Sequence, residues 1–261
     1  MWNELEHLIV NYQQLNLQEV VDYEKFSMIS VMWHSTKIEG CALSETDTRV
    51  LIEHDITAKG KPLKDHFMLK DHYAAFQFIK EQAVIKTKPD IDFIRHLGAM
   101  VMKNTGEQVN TVLGSFDTSK GDLRLVQVYV DKKYFPNHTK VPSLLEEFSS
   151  NLNERIDTVR GTDILKLAAD VHYNFVNIHP FGDGNGRTAR LLMNYVQMYH
   201  NQPFIKIFTE DRVEYIESLN ETEAQQNPDI FRAFIAGQQI KFLKSEIELF
   251  NRSATGRITL F

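Results

Sequence analysis

Residues 179–190 read His-Pro-Phe-Gly-Asp-Gly-Asn-Gly-Arg-Thr-Ala-Arg and concentrate more reactive chemistry than any other stretch of the chain. His179 is a candidate base, because a neutral imidazole is well populated near pH 7. Asp183 is a hard oxygen donor that, with phosphate oxygens, suits Mg²⁺. Gly182, Gly184 and Gly186 open backbone conformations closed to other residues and let successive N–H groups converge on an anion. Arg187 and Arg190 are three apart, so they share one face near the start of the following helix. Two guanidiniums there repel each other and the helix dipole, which makes little structural sense without an anion or carboxylate between them. The inventory fits gripping a polyphosphate while moving a proton. The glycine spacing is not a dinucleotide fingerprint, since a helix precedes it, and it lacks the Gly-Lys-Ser/Thr of a P-loop.

These groups need rigid elements on both sides. Residues 163–178 carry Ile164, Ala168, Val171, Phe175 and Ile178 in a helical stripe. Pro180 disfavours α geometry at His179, which places the imidazole at a helix-to-loop junction. The next helix opens near Asn185 or Gly186 and covers 186–200, aiming its free N–H groups at the same anion. Other helices are expected at 24–38 (with Phe26, Ile29, Met32 and Trp33 on one face), 64–82, 142–153, 210–222 and 228–250. Asp90 caps a further one through Val101. The exception is Gly121–Val130, where Leu125, Val126, Val128 and Val130 suggest a strand, paired as a hairpin with roughly 111–117. The fold class is mainly α: a helical bundle with one small β-hairpin. Residues 1–60 form an N-terminal helical extension and 61–261 the core, read as one compact unit.

With 261 residues, 43% hydrophobic and 25% charged, the composition is that of a soluble globular protein. A net charge of −6 argues against a broad nucleic-acid or anionic-membrane surface. The apolar runs are short of a bilayer span and Met1 opens no signal-peptide pattern, so a cytoplasmic location is expected. Cys41 is the one cysteine and excludes an intramolecular disulfide. His66 and His72 are badly spaced for a shared metal, and Lys59–Lys64 reads as a solvated loop. The final helix, with Phe231, Phe234, Ile235, Ile240 and Phe242, is core or a homodimer surface. Only the short tail Asn251–Phe261 follows it, leaving no room for an appended DNA-binding domain.

The loop resembles the Fic family motif H-x-F-x-[D/E]-G-N-G-R-x-x-R, matching at His179, Phe181, Asp183, Gly184, Asn185, Gly186, Arg187 and Arg190. Gly121-Asp-Leu-Arg124 and the following strand are similar to the family's flap hairpin, and the likeness spans roughly residues 60–240. Members of this mainly helical family mostly transfer AMP from ATP to a hydroxyl side chain of a target protein. The resemblance therefore implies that His179 takes the proton from a Tyr, Thr or Ser hydroxyl as it attacks the α-phosphorus. It implies that Asp183 holds Mg²⁺ and that Gly182 and Gly184–Gly186, with the Asn185 side chain, hold phosphate oxygens. Arg187 and Arg190 meet the β- and γ-phosphates, and Phe181 belongs to this ATP-binding set as the core anchor that fixes the loop. A flap strand at Leu125, Val126, Gln127 and Val128 docks the target by backbone pairing.

A second resemblance lies upstream. Ser35-Thr-Lys-Ile-Glu39-Gly40 fits the family's inhibitory [S/T]-x-x-x-E-[G/N], with Ser35 and Glu39 on one helix face and Gly40 ending the helix. This resembles the subgroup with an N-terminal inhibitory helix, in which the Glu pairs with the second arginine, here Arg190. At about 4 Å and an effective dielectric near 20, such a pair carries roughly 4 kcal/mol of Coulomb attraction before desolvation. The carboxylate would occupy the γ-phosphate's place. Competing readings are removal of AMP from a modified protein by the same site and a non-catalytic nucleotide-binding module. A Doc-type phosphotransferase fits less well, since that branch carries Lys where this chain has Gly186.

Overall fold

The computed structural model describes residues 1–17, 22–130 and 133–254. The helices are α1 (Trp2–Gln14), α2 (Tyr23–Ile38), α3 (Glu45–His54), α4 (Leu63–Val84), α5 (Ile91–Val101), α6 (Val141–Ile156), α7 (Thr162–Ile178), α8 (Asn185–Tyr199), α9 (Arg212–Gln225) and α10 (Pro228–Ala254). The mainly α expectation holds. The antiparallel pair α7 and α8 forms the centre, with α4 and α5 against α8, α6 against α7, and α10 packed on α1, α7 and α9. One apolar core runs from Leu5 on α1 through Ile29 and Met32 on α2 to Leu243 on α10. The tail beyond residue 254 lies outside the described residues.

Local signals set the helix ends. The Asp90 carboxylate accepts the Phe93 N–H at 2.8 Å and caps α5 as expected. Ser44 and Asp47 form a reciprocal capping box at the start of α3. The α7 stripe is buried from Ile164 through Ile178. On α10, Phe231, Ile235 and Phe242 are core and Phe234 and Ile240 pack against it, so these residues serve the monomer's interior.

Two expectations need correction. Residues 24–38 do not present a single apolar face: α2 is buried nearly all round from Ser27 to Thr36, while Phe26 and Trp33 are half-buried. Small polar residues (Ser27, Ser30, Ser35, Thr36) let neighbours approach it from every side, which a hydrophobic period does not register. The hairpin also differs. The 111–117 segment pairs with its own neighbour, β1 (Gln108–Thr111) with β2 (Gly114–Asp117), and not with 121–130. Residues Leu125–Val128 run without ladder partners, bending at Val126. The chain then enters a two-residue ladder of β3 (Tyr129–Val130) with β4 (Lys133–Tyr134). Alternating valines mark extended backbone but carry no information about which segment pairs with it.

Candidate active site

His179 closes α7 by donating its backbone N–H to the Phe175 carbonyl at 3.0 Å, then adopts φ +51°. A left-handed non-glycine residue is uncommon and persists only where its surroundings fix it. Its ring stacks on Phe135 at 4.0 Å between centroids. The Nδ1 atom lies 3.2 Å from the Val176 carbonyl, which can only accept, so Nδ1 carries the proton and Nε2 keeps a free lone pair. Burial, aided by the charges of Arg124 and Lys133, pushes the imidazole down to about 4. The group is therefore neutral across the physiological range, as a base requires.

The loop beyond it is rigid. Phe181 is 2% exposed and its ring fills a notch at Gly98, where a Cβ would come within 2.5 Å of it. It anchors the loop from beneath and does not line the open side. The Asn185 side chain accepts the Phe181 N–H at 3.0 Å and donates to the Phe181 carbonyl at 2.9 Å. Those bonds occupy the amide that the resemblance assigns to phosphate, so Asn185 shapes the loop from inside. Of the three glycines only Gly184 has positive φ, +80°. Gly182 and Gly186 answer to space: Cβ atoms would lie 2.9 Å from the Phe116 ring and 2.6 Å from Glu39 Oε1 respectively. Helix α8 has no side-chain cap. Its first N–H groups, with no acceptor inside the helix, point into the loop's concavity.

Asp183 stands 63% exposed at the rim, 3.8 Å from Arg187. Arg187 is buried; it donates to the Val101 carbonyl at 3.3 Å and approaches the Met102 sulfur at 3.0 Å, while its Nε has no partner. A buried guanidinium so weakly satisfied calls for an anion. Arg190 is differently placed. Its Nε donates to Ser35 Oγ at 2.9 Å, and its Nη2 donates to the Ser35 carbonyl at 2.9 Å and to Glu39 Oε1 at 2.6 Å. Burial opposes charge on Glu39, but the Arg190 guanidinium, helped by Arg187 and Arg212, holds its carboxyl below the usual range. Gly40 follows at φ +93° and ends the turn. The structure thus brings Ser35 and Glu39 to Arg190, as the resemblance implied.

Several residues of this site escaped sequence reasoning. Tyr215 on α9 accepts from Arg190 Nη1 at 3.5 Å, and its hydroxyl is hydrogen-bonded with His172 Nε2, 2.9 Å away. Arg212 donates to the Ile38 carbonyl at 3.0 Å, capping α2 beside Glu39. Arg124 reaches the loop from the flap side. Tyr215 and Arg212 come from a helix distant in sequence and carry no motif, and the flap pattern that includes Arg124 says nothing of its contact with His179. His66 ties its own loop through Ala58 N–H and the Pro62 carbonyl, both at 2.9 Å, which is a structural task.

A central α7–loop–α8 unit with an uncapped anion-facing helix start and a base at the preceding helix end defines a Fic-type helical domain. Residues 88–197 match the Fic/DOC family, and the chain carries a Fic/DOC-family domain. Among curated proteins it is similar to protein adenylyltransferase Fic of Aedes aegypti, 34% identical over 197 residues that make up 75% of this chain and 37% of that protein. Protein adenylyltransferase fic-1 of Caenorhabditis elegans is 32% identical over 72% of this chain and 35% of its own length. The chain therefore spans little more than a third of these relatives. A Fic-domain-containing signalling protein from Bacteroides thetaiotaomicron shares the fold, with a TM-score of 0.80 at 22% identity covering 98% of this chain and 100% of that one. Fic-1 (residues 134–508) from C. elegans superposes with a TM-score of 0.76 at 26% identity, covering 96% and 72%. No helix among the described residues is long and apolar enough to cross a membrane.

Proposed function

We propose that this chain transfers AMP from ATP to a Ser, Thr or Tyr hydroxyl of a protein target and is restrained by Glu39. The observation that carries the reading is the free Nε2 of a neutral His179 beside the uncapped start of α8. Nε2 accepts the hydroxyl proton as the oxygen bonds to the α-phosphorus and pyrophosphate leaves. The N–H groups of residues 185–187 hold the phosphate oxygens as negative charge moves toward the leaving group. Arg187, with an unpartnered Nε, takes the β-phosphate; Arg190 takes the γ-phosphate once released. Asp183, exposed and oxygen-bearing, would hold Mg²⁺ beside the phosphates. When bound, the metal offsets phosphate charge. The target docks along the extended backbone of Leu125–Val128, which lies outside any ladder, a mode that reads main chain more than side chains.

Glu39 restrains transfer by holding Arg190 and standing over Gly186 at the helix start. In Glu39→Gly, ATP-dependent transfer should rise on the order of 10- to 100-fold, the part of a roughly 4 kcal/mol attraction that survives desolvation. His179→Ala on that background should lower it by about 10²-fold or more. Labelled ATP incubated with each variant and cell lysate measures both. An inert Glu39→Gly protein would remove the adenylyltransferase reading. A second reading has one observation in its favour: Glu39 engages Arg190 through Oε1, and its side chain is 36% exposed. The other oxygen would orient a water for AMP removal, so release of AMP from a modified target without ATP distinguishes it.

A further inference from the structure

Arg124 is fully buried, 1% exposed, and among the described residues no carboxylate pairs with it. Its guanidinium divides among three carbonyls: Nε donates to His179 at 2.7 Å, Nη1 to Val126 at 2.7 Å and Nη2 to Pro136 at 2.6 Å. Its backbone N–H donates to the Pro180 carbonyl at 3.0 Å. Sequestering a cation without a counter-ion is costly, and a nearby alkyl chain of similar size would fill the space without that cost. The arrangement makes sense if direction matters more than stability.

The three carbonyls belong to three segments that meet at one imidazole. The first is that of His179 itself, at the C-terminal end of α7, where a cation suits the helix dipole. The second lies on the extended strip assigned to the target. The third follows Phe135, whose ring stacks on His179. We infer that Arg124 is a positioning residue: it sets the left-handed turn at His179, the stacked Phe135 and the docking strip as one rigid unit around Nε2. Lysine offers a point charge and cannot reach three diverging acceptors from one plane.

A second consequence is electrostatic. Arg124 and Lys133 are the cations facing His179, and Asp183 is the opposing carboxylate; burial and the two cations keep the imidazole neutral. Removing the guanidinium therefore moves the His179 titration upward, and a lysine in its place, which keeps the charge, separates this effect from a loss of packing.

This inference rests on the AMP-transfer reading for its rate measurement but not for its titration. Full-length Arg124→Met and Arg124→Lys are made in the Glu39→Gly background and followed by labelled-ATP kinetics and by NMR titration of His179. The Met variant should lose about 100-fold in kcat, the scale of a misplacement near 1 Å, with KM for ATP within about threefold, since no ATP-facing group is altered. Its His179 midpoint should rise. The Lys variant should keep the midpoint and still lose kcat. A folded Met variant with parental kcat and midpoint overturns the inference. If the Met variant does not fold, the Lys variant decides, and parental kcat there overturns it equally. If the Glu39→Gly parent transfers no AMP, the activity reading fails while the titration still tests the hold on His179.

Discussion

The loop at 179–190 and the strip at 124–135 meet at the same imidazole, yet different forces hold them. The loop is fixed by packing. Phe181 is sunk at Gly98, Asn185 clasps the backbone from inside, and α7 and α8 brace both ends. Among its described residues the strip has a two-residue ladder, and Phe135 is its buried apolar side chain. It hangs on polar ties: Arg124 to three carbonyls, Gln127 to the Phe135 carbonyl, and Lys133 to Asn177 and to Glu223 at 2.7 Å. Close packing gives the fixed distances that proton and phosphate chemistry need. The Val126 and Val128 carbonyls of the strip are engaged internally, and a docking segment would read the main-chain groups between and beside them.

The contrast has measurable consequences. Phe181→Ala should cost about 3–5 kcal/mol, the range for emptying a packed aromatic site, and a thermal or denaturant melt of the whole chain reads it. A loss below about 1 kcal/mol would mean the loop does not depend on its anchor. Next in size is the acid limb of kcat/KM for the Glu39→Gly protein. With His179 pushed down to about 4, activity should persist through pH 5 and fall only near that value, where an unperturbed imidazole would fail near 6.5. The same depression fixes the sign for stability. The unfolded chain binds a proton at this position between those two values and the folded chain does not, so stability rises with pH across that window. Asn185→Ala should cost about 1–3 kcal/mol by leaving the Phe181 N–H and carbonyl unsatisfied. Smallest is Lys133→Met, whose partly solvated pair with Glu223 is worth about 1 kcal/mol or less. Its signature lies elsewhere: KM for the protein target should rise a few-fold while the melt barely moves. An equal stability loss in Lys133→Met and Phe181→Ala would erase the distinction between the two regions.

What could be read from residues alone follows the same division. The helices around the loop announced themselves through period, capping at Asp90 and the break at Pro180. The meeting of Glu39 with Arg190 was legible because two short patterns each resembled a known one. The strip was misjudged because alternation of Leu125, Val126 and Val128 identifies extended backbone and leaves its partner open; the ladder formed with Lys133–Tyr134 instead. Tyr215 and Arg212 were illegible because each acts on a neighbour brought close only by packing of distant helices, while Arg124 was read as part of the flap and its hold on His179 was not. Asn185 was read as a phosphate ligand since a motif letter does not say which way its amide turns. A lone arginine between Leu123 and Leu125 was the one available hint.

Gly186 ties two distant parts of the chain into a single inheritable unit. A side chain there would displace the Glu39 carboxylate oxygen from its place beside Arg190, so enlarging position 186 should weaken the hold of the acid at position 39. The two positions should therefore covary among related chains, with the acid favoured beside glycine. Sequences pairing a bulky residue at 186 with an intact Glu at 39 as often as glycine does would contradict this. On this account the restraint is not an ornament added to a finished loop, because the loop's smallest residue already records its presence.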